Sequence, residues 1–385
     1  MALAALSALL LAVTASGQSF ASQPLPPAPP QEIAEIPVSY LVDMGSGQVL
    51  HAQQPDLRFL PASMTKVMTA HLAFELIDQG KLKPEQRFTV RPETAALWNG
   101  KGTSMYLRAG ESVSVDDLLR GIATASANDA SMVLAQSAGG SVAAWVALMN
   151  AQARKLGMKN SHFATPSGWP DNGATYVSAR DLVTLGMAMI ERHPALYRRY
   201  FGQKRMQWHG ATLQSHDPTV EIVPGADGIK TGHTNEAGYN FLGSAERNGR
   251  RLLMVIGGAK TEGQRAVASR ALLEWGFTAW KSRRLFAKGE KVGEAMVQEG
   301  DARSVPLIAP RAISHASYLP NQRIRLRLAY KGPLKAPIAR GTQVAQLEIA
   351  SAQGITSRVP LVTGKAVGKA GPLDRLWNGL MGLVP

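Results

Sequence analysis

Two hairpin patterns enclose a long stretch of helical patterns in this chain of 385 residues. In the first hairpin, the β-prone runs 38–43 and 48–51 flank a Gly-Ser-Gly turn. The second hairpin lies far downstream, where Asn248-Gly249, a strong signal for a tight turn, separates runs 240–246 and 251–257. Strands at both ends with helices between them predict one mixed α+β domain whose antiparallel sheet is closed by segments distant in sequence.

Apolar residues recur at helical spacing in five segments between these hairpins. They are residues 64–77, 115–123, 130–136, 142–156 and 179–192. Further along the chain the pattern changes to short β-prone runs such as 323–330 and 342–349, which prolines and glycines interrupt. The change predicts a helix-and-sheet domain at 36–281 and a separate small β-rich domain at 282–365.

The first residues carry the pattern of an export signal. An apolar run over residues 2–13 precedes small residues and the A-x-A-like triplet Ser19-Phe20-Ala21. A run of about 12 apolar residues spans only roughly 18 Å, which is short of a bilayer core of roughly 30 Å. We therefore expect a signal peptide at 1–21, a proline-rich linker at 22–35 and an exported mature protein.

Composition narrows the classes of partner and chemistry. The chain has no cysteine, which removes disulfides, thiolate nucleophiles and cysteine-based metal sites. Its net charge of +14 favours anionic partners, but the basic residues are scattered and no nucleic-acid-binding motif occurs. We therefore expect no nucleic-acid partner. Because the histidines show no H-E-x-x-H or paired-ligand spacing, the sequence predicts no metal site and no cofactor.

The last residues form an amphipathic pattern. In the segment 372–385, seven apolar residues fall largely on one side of a helix, with Asp374, Arg375 and Asn378 opposite. Such a segment can lie in a membrane interface without crossing the bilayer. We expect residues 366–385 to be a membrane-anchoring tail, and packing of the tail on its own β domain stays open as the alternative.

The first of three chemical motifs is Ser63-Met64-Thr65-Lys66, which opens a helical pattern. Ser63 and Lys66 are then one turn apart on the same face, within reach of each other. A serine hydroxyl becomes a good nucleophile when a neighbouring base takes its proton, and an amine can be that base if burial or positive charge lowers its pKa. Alone, this short motif occurs by chance in many proteins.

Two more motifs follow, and the first of them is Ser126-Ala127-Asn128. In an acyl-transfer reaction, Ser63 attacks a carbonyl carbon, Lys66 and Ser126 relay protons, and Asn128 holds the substrate amide. In isolation, Ser126 would more often cap the helix beginning near residue 129, and Asn128 would more often serve a turn.

The third motif is Lys230-Thr231-Gly232, on a β-prone run. Lys230 adds positive charge near the amine of the first motif and near a substrate carboxylate, and Thr231 adds a hydroxyl. Gly232 leaves room for a substrate strand close to the backbone. The backbone N–H of Ser63 is the natural oxyanion donor, with a second expected from His233.

Together, S-x-x-K, S-x-N and K-T-G are the signature of the penicillin-recognising serine enzymes, and the chain resembles that superfamily at all three places. Within it, the chain looks like the D-alanyl-D-alanine carboxypeptidases of the penicillin-binding protein 5 type. The segments Arg120-Gly121, 156–160, 178–181 and 227–234 support this resemblance. It implies a serine β-lactamase-like transpeptidase domain, then a small all-β domain and a C-terminal amphipathic helix.

The same resemblance implies an activity and partners. The protein would remove the terminal D-Ala from peptidoglycan pentapeptides through an acyl-enzyme at Ser63, and penicillins would acylate the same serine. Its partners would be stem peptides ending in D-Ala-D-Ala, β-lactam antibiotics and the periplasmic face of the inner membrane. In this family the histidine after K-T-G, here His233, shapes the site, and an arginine in the following helix binds the substrate carboxylate. Arg265 matches that arginine after a shift of one residue.

Three other functions stay open at this stage. A β-lactamase would share the motifs, but class A enzymes use a glutamate to activate the deacylating water, and no glutamate occurs between Glu111 and Glu191. A D,D-endopeptidase would act on cross-links, and absence of the β domain would favour it. A non-catalytic cell-wall-binding protein would keep the fold without turnover. The segment 208–223 has no obvious match in the family, so the sequence assigns no substrate contacts there.

Overall fold

The computed structural model describes residues 25–351 and 354–371. The expected signal peptide at 1–21 and the amphipathic segment 372–385 lie outside the described residues. The α-helices of the described ranges are α1 (Lys66–Asp78), α2 (Pro92–Trp98), α3 (Val115–Arg120), α4 (Asn128–Ala138), α5 (Val142–Leu156), α6 (Ala179–Arg192), α7 (Pro194–Tyr200) and α8 (Glu262–Thr278).

The strands are numbered in chain order. They are β1 (Val38–Asp43), β2 (Gln48–Gln53), β3 (Arg87–Thr89), β4 (Ser112–Ser114), β5 (Arg205–Trp208), β6 (Ala211–Gln214), β7 (Ala226–Thr234), β8 (Gly238–Arg247), β9 (Arg250–Ala259), β10 (Lys281–Phe286), β11 (Lys291–Gln298), β12 (Ser304–Ile308), β13 (Ile313–Ser317), β14 (Arg325–Ala329), β15 (Leu334–Lys335), β16 (Gln343–Ser351) and β17 (Gly354–Thr363).

A five-stranded antiparallel sheet in the order β2-β1-β9-β8-β7 forms the centre of the first domain. The two hairpins predicted from the sequence are β1-β2 and β8-β9. They join edge to edge, with Val38 of β1 opposite Gly257 of β9. Asn248 and Gly249 both have positive φ angles, 51° and 74°, as a type I′ turn requires. The predicted closure of one sheet by distant segments is confirmed.

The sheet lies between two apolar cores because successive side chains of a strand point to opposite faces. Leu253 and Val255 of β9 pack in the core that contains Phe74 of α1. Their neighbours Leu252 and Met254 pack in a second core beneath α8. Helices therefore cover both faces of the sheet.

The second unit is all-β, as predicted. A six-stranded sheet in the order β14-β16-β17-β12-β11-β15 and the pair β10-β13 enclose a separate core that includes Val305 and Leu361. Isolated bridges pair Val367 with Ile338 and Lys369 with Gly300, so β pairing continues beyond β17.

The two units are joined by a partly exposed ion pair and by a hydrogen bond to a backbone carbonyl. The side chain of Arg311, which precedes β13, forms an ion pair of 2.8 Å with Glu191 of α6. It also donates to the backbone carbonyl of Gly45 in the first hairpin turn at 2.9 Å.

Within the described ranges, no single helix is long and apolar enough to cross a membrane. The pair α4 and α5 reaches the necessary length and composition only together, and the two helices are bent by 90° at the break between them.

Candidate active site

The first motif lies where the chain turns into α1. Ser63 sits in a 3-10 turn, Ala62–Thr65, that continues directly into α1 at Lys66. Ser63 is partly exposed, whereas Lys66 is only 1% exposed. The turn therefore presents a hydroxyl to solvent with its amine partner buried beneath it.

Two glycines allow neighbouring segments to approach this turn. A Cβ atom on Gly168, which has a φ of 76°, would lie 1.8 Å from the carbonyl oxygen of Ala62. A Cβ atom on Gly232 of β7 would lie 2.2 Å from the carbonyl oxygen of Pro61. The sequence explained Gly232 by space for substrate. The structure adds a second reason, since any side chain here would separate β7 from the nucleophile turn.

The amine of Lys66 has three hydrogen-bond partners. Its Nζ lies 2.8 Å from Ser63 Oγ, 2.8 Å from Asn128 Oδ1 and 2.8 Å from the carbonyl oxygen of Ser167. The amide of Asn128 is oriented by a 2.9 Å bond from its Nδ2 to the carbonyl of Lys101. Because the amide oxygen and the carbonyl can only accept, they take two N–H groups of the amine. A neutral amine then has its lone pair left for the hydroxyl proton of Ser63.

Burial, with help from the nearby charge of Lys230, holds the pKa of Lys66 well below its ordinary value, against the opposing effect of Asp129. A lowered pKa makes the neutral, proton-accepting amine available near neutral pH. The electrostatic environment of Lys66 is therefore suited to a general base.

The second motif is positioned by a break in the helical path. The sequence predicted a helix over 115–123, but α3 ends at Arg120 and a π-helical turn, Gly121–Ala125, follows. Gly121 is the reason that the turn can form there, since its Cβ would lie 2.0 Å from Met105 Sδ. Ser126 then adopts a left-handed conformation with φ of 61° and lines the cleft.

Ser126 is not the cap of α4. The N-cap position is Ala127, without a side-chain cap bond, and Asn128 is the first residue of the helix. Both alternatives considered for Ser126 and Asn128, a cap and a turn, are therefore wrong. Next to them, the buried carboxylate of Asp129 accepts from Ser104 Oγ and from the backbone N–H of Met105, at 2.6 and 3.0 Å. Asp129 thereby fixes the loop that leads to the cleft.

The third motif occupies β7, beside the nucleophile turn. Lys230 is buried, and its Nζ donates to the carbonyl of Thr231 at 3.2 Å. Burial lowers the pKa of Lys230 to about 7, with Arg265 lowering it further and Asp217 opposing the change. The next side chain along the cleft wall, His233, is exposed and stacks on Tyr239 with ring centroids 3.9 Å apart.

Arg265 lies in the first turns of α8 and is 2% exposed, so it is not a solvated surface charge. Its Nη2 donates to Glu262 Oε1 at 2.7 Å and to the carbonyl of His216 at 3.3 Å. Its Nε is buried without a hydrogen-bond partner among the described residues. Burial lowers the pKa of its guanidinium, and the ion pair with Glu262 opposes that change. Arg265 thus keeps unused donor capacity at the cleft.

All three motifs and Arg265 meet at one cleft of about 640 Å³. Seven of the nine site residues predicted from the sequence line it, namely Ser63, Ser126, Asn128, Thr231, Gly232, His233 and Arg265. The other two, Lys66 and Lys230, are buried close to it. The cleft thus combines a serine hydroxyl, an amine of lowered pKa and the basic side chains of Lys230 and Arg265. This set suits acyl transfer from a substrate that carries a carboxylate.

Comparison with known proteins agrees with this chemistry. The profile of the family described as D-alanyl-D-alanine carboxypeptidase matches residues 28–261, and the C-terminal domain of penicillin-binding protein 5 matches residues 280–369. The chain belongs to the D-alanyl-D-alanine carboxypeptidase family. Among curated members, it is 35% identical to the carboxypeptidase DacD of Salmonella typhimurium, with 95% of this chain and 93% of that protein covered. It is 34% identical to DacA of Haemophilus influenzae, over 92% and 90% of the two chains.

Solved structures of carboxypeptidase relatives share the fold. Penicillin-binding protein 5 from Haemophilus influenzae aligns with a TM-score of 0.74 at 31% identity, over 89% of this chain and all of that one. Penicillin-binding protein D2 from Listeria monocytogenes, solved in an ampicillin-bound form, aligns with a TM-score of 0.57 at 31% identity. That alignment covers 63% of this chain and 98% of the other.

Sequence reasoning missed several residues of this carboxypeptidase cleft. Ser167 contributes a backbone carbonyl, which no residue-type pattern reveals. Trp169 lines the cleft from the same loop, and Lys101 lies over its ring at 5.1 Å. His216 also lines the cleft and belongs to the segment 208–223 that was left unassigned. The only signal for it was the lack of an obvious family match in that segment.

Proposed function

We propose that this family member is a serine D,D-carboxypeptidase that removes the terminal D-Ala from peptidoglycan pentapeptides. The observation that carries the proposal is the 2.8 Å contact between Lys66 Nζ and Ser63 Oγ. The other two hydrogen bonds of this amine go to the amide oxygen of Asn128 and the carbonyl of Ser167, which can only accept. Ser63 Oγ attacks the penultimate carbonyl carbon, and its proton passes to Lys66. The C–N bond then breaks, the leaving D-Ala amine takes a proton through Ser126, and water later hydrolyses the ester.

The remaining cleft residues orient the substrate in this proposal. Asn128 holds the substrate amide, and the backbone N–H groups of Ser63 and His233 stabilise the oxyanion. Lys230, Thr231 and Arg265 bind the terminal carboxylate, while Gly232 lets the peptide lie along β7.

D-Ala release from a synthetic peptide ending in D-Ala-D-Ala tests the proposed activity. We expect purified protein to release one equivalent of D-Ala per peptide and to leave a cross-linked muropeptide dimer largely intact. Faster cleavage of the dimer than of the pentapeptide would instead assign the protein as an endopeptidase. Rapid, complete hydrolysis of penicillin would assign it as a β-lactamase.

Arg265→Ala tests the carboxylate site. A charge-assisted hydrogen bond contributes about 1.5–3 kcal/mol, so kcat/KM for a peptide with a free terminal carboxylate should fall by about 10- to 100-fold. The amidated analogue should change by less than about threefold. Arg270→Ala is the matched control, because Arg270 lies on the same helix, donates to the carbonyl of Pro218 and is not among the described residues that line the cleft. Equal losses on both peptides would remove Arg265 from the carboxylate site.

We further propose that the protein is exported and held at the periplasmic face of the inner membrane by residues 372–385. Seven apolar side chains half-buried in lipid contribute roughly 7–10 kcal/mol before the cost of ordering the peptide. The high net charge of +14 adds attraction to an anionic surface.

Deletion of residues 372–385 should release the protein from anionic vesicles in a sedimentation assay while penicillin binding persists. A matched pair of variants introduces one glutamate, either on the apolar side or on the polar side of the helical pattern. Trp377→Glu on the apolar side should weaken co-sedimentation strongly, by about 2–3 kcal/mol of lost burial and added desolvation. Asn378→Glu on the polar side should weaken it only slightly. Unchanged co-sedimentation after the deletion would place the membrane contact elsewhere.

A further inference from the structure

Three side chains of the types that bind metals meet near the C-terminal end of α1, and none of them lines the cleft. His71 and Glu75 are four residues apart on α1 and share a face, and His193 lies between α6 and α7. Glu75 Oε1 is 3.7 Å from His71 Nε2 and 3.5 Å from His193 Nε2. One ligand atom from each residue lies within 4.8 Å of the others.

This spacing is close to that of a tetrahedral zinc site. Zn²⁺ takes histidine nitrogen and carboxylate oxygen at about 2.0–2.2 Å, which separates two tetrahedral ligand atoms by roughly 3.3 Å. Small side-chain movements close the difference. The His71 and His193 rings are already adjacent, with centroids 5.2 Å apart.

His193 is oriented as a metal-ligating histidine is. Its Nδ1 lies 2.5 Å from Asp78 Oδ2, so the ring N–H is donated to a carboxylate. This arrangement of carboxylate, imidazole and metal fixes the tautomer and leaves Nε2 as the free ligand atom. Nε2 is buried without a hydrogen-bond partner among the described residues. It faces Glu75 Oε1, another acceptor, and a cation between the two atoms resolves that mismatch.

The charges on α1 itself favour a cation at its C-terminal end. The last turns contain Glu75 and Asp78 and no basic residue, although the negative end of a helix dipole favours positive charge.

Two other groups contact the cluster and would have to move. Arg192 Nη1 lies 3.2 Å from Glu75 Oε1 on a partly exposed side chain, which can swing into solvent. Gln152 Nε2 lies 3.0 Å from His71 Nε2 and 3.3 Å from Glu75 Oε1. Rotation of its amide replaces this donor with a carbonyl oxygen, which can act as a fourth ligand. Lys155 also acts on both His71 and Glu75 electrostatically and opposes a cation there.

We propose that His71, Glu75 and His193 form a structural Zn²⁺ site, with Asp78 holding His193 in the binding tautomer. The metal ties the C-terminal half of α1 to the junction of α6 and α7. The sequence predicted no metal because His193 is far from the other two ligands along the chain, and the spacing of His71 and Glu75 alone is uninformative.

Zinc titration of the purified full chain in competition with a chromogenic zinc chelator tests the site. We expect one equivalent of Zn²⁺ per chain and a higher Tm with Zn²⁺ than with excess chelator. His193→Gln and Glu75→Gln should each weaken binding by more than about tenfold and abolish the zinc-dependent change in Tm. His209→Gln, which alters a partly exposed histidine paired with Glu111, is the matched control and should bind like the wild type.

Penicillin labelling of each variant reports whether its fold is retained. If the variants do not fold, X-ray absorption of the wild-type zinc complex decides, and two imidazole nitrogens with a carboxylate oxygen are expected. The proposal is overturned if the folded wild type binds no stoichiometric zinc, or if His193→Gln binds as the wild type does. It is also overturned if zinc leaves the Tm of the folded wild type unchanged.

Discussion

The Ser63→Ala variant is expected to lose both penicillin acylation and D-Ala release while keeping its fold. A methyl group cannot form the ester intermediate, and removal of the nucleophile from such a catalytic unit costs at least about 10⁴-fold in kcat. The effect on stability should be small, below about 1 kcal/mol, because Ser63 is partly exposed and the amine of Lys66 keeps its bonds to Asn128 and Ser167.

Ser112→Ala provides the control for this loss. Ser112 is an exposed serine of β4 whose hydroxyl accepts from Arg87, and neither residue is among the described residues that line the cleft. Its substitution should leave acylation and D-Ala release unchanged. A Ser63→Ala protein that still forms a covalent penicillin adduct, with an unchanged unfolding temperature, would move the nucleophile to another residue.

Loss of the amine at Lys66 is expected to be nearly as complete. Lys66→Ala removes the group within 2.8 Å of the nucleophile, so Ser63 keeps its proton and acylation should fall by about 10³- to 10⁴-fold or more. Because the two residues act as one unit, the double variant Ser63→Ala with Lys66→Ala should be no slower than the worse single variant. Stopped-flow acylation by a fluorescent penicillin measures these rates.

The Lys66→Arg variant tests whether Lys66 acts as a general base or only supplies positive charge. Arginine keeps the charge but stays protonated at any accessible pH, so it cannot accept the proton of Ser63. We expect Lys66→Arg to be as slow as Lys66→Ala, and recovery of acylation by arginine would make the role of Lys66 electrostatic. In the wild type, acylation should rise with pH as Lys66 loses its proton, with a midpoint well below the ordinary lysine value of 10.5.

Much of the fold follows from local sequence patterns. The hairpins were predictable because alternating residues and an Asn-Gly turn are read from neighbouring positions, and the structure pairs them as β1-β2 and β8-β9. The π-helical turn after α3 was not predictable from the sequence, because it depends on the close packing of Gly121 against the distant Met105. Such a contact leaves no periodic signal.

The candidate site was also predictable only in part. The three motifs identify side chains, and the structure brings their residues to one cleft. The Ser167 carbonyl, however, depends on the path of a loop, and Asp129 looks like an ordinary acidic residue in a first helical turn. The proposed chemistry requires a low pKa for Lys66. The sequence could not establish it, because the main cause of the low pKa is burial in the folded protein.

Mass spectrometry of the intact wild-type protein after a short exposure to penicillin tests whether Ser63 is the acylated nucleophile. The protein mass should increase by one whole penicillin molecule, because ring opening adds all of its atoms to the enzyme. Proteolysis should place the adduct on Ser63, and peptide substrate present in excess should slow its formation. The absence of any adduct on folded protein, or its location on a residue other than Ser63, would rule out Ser63 as the nucleophile.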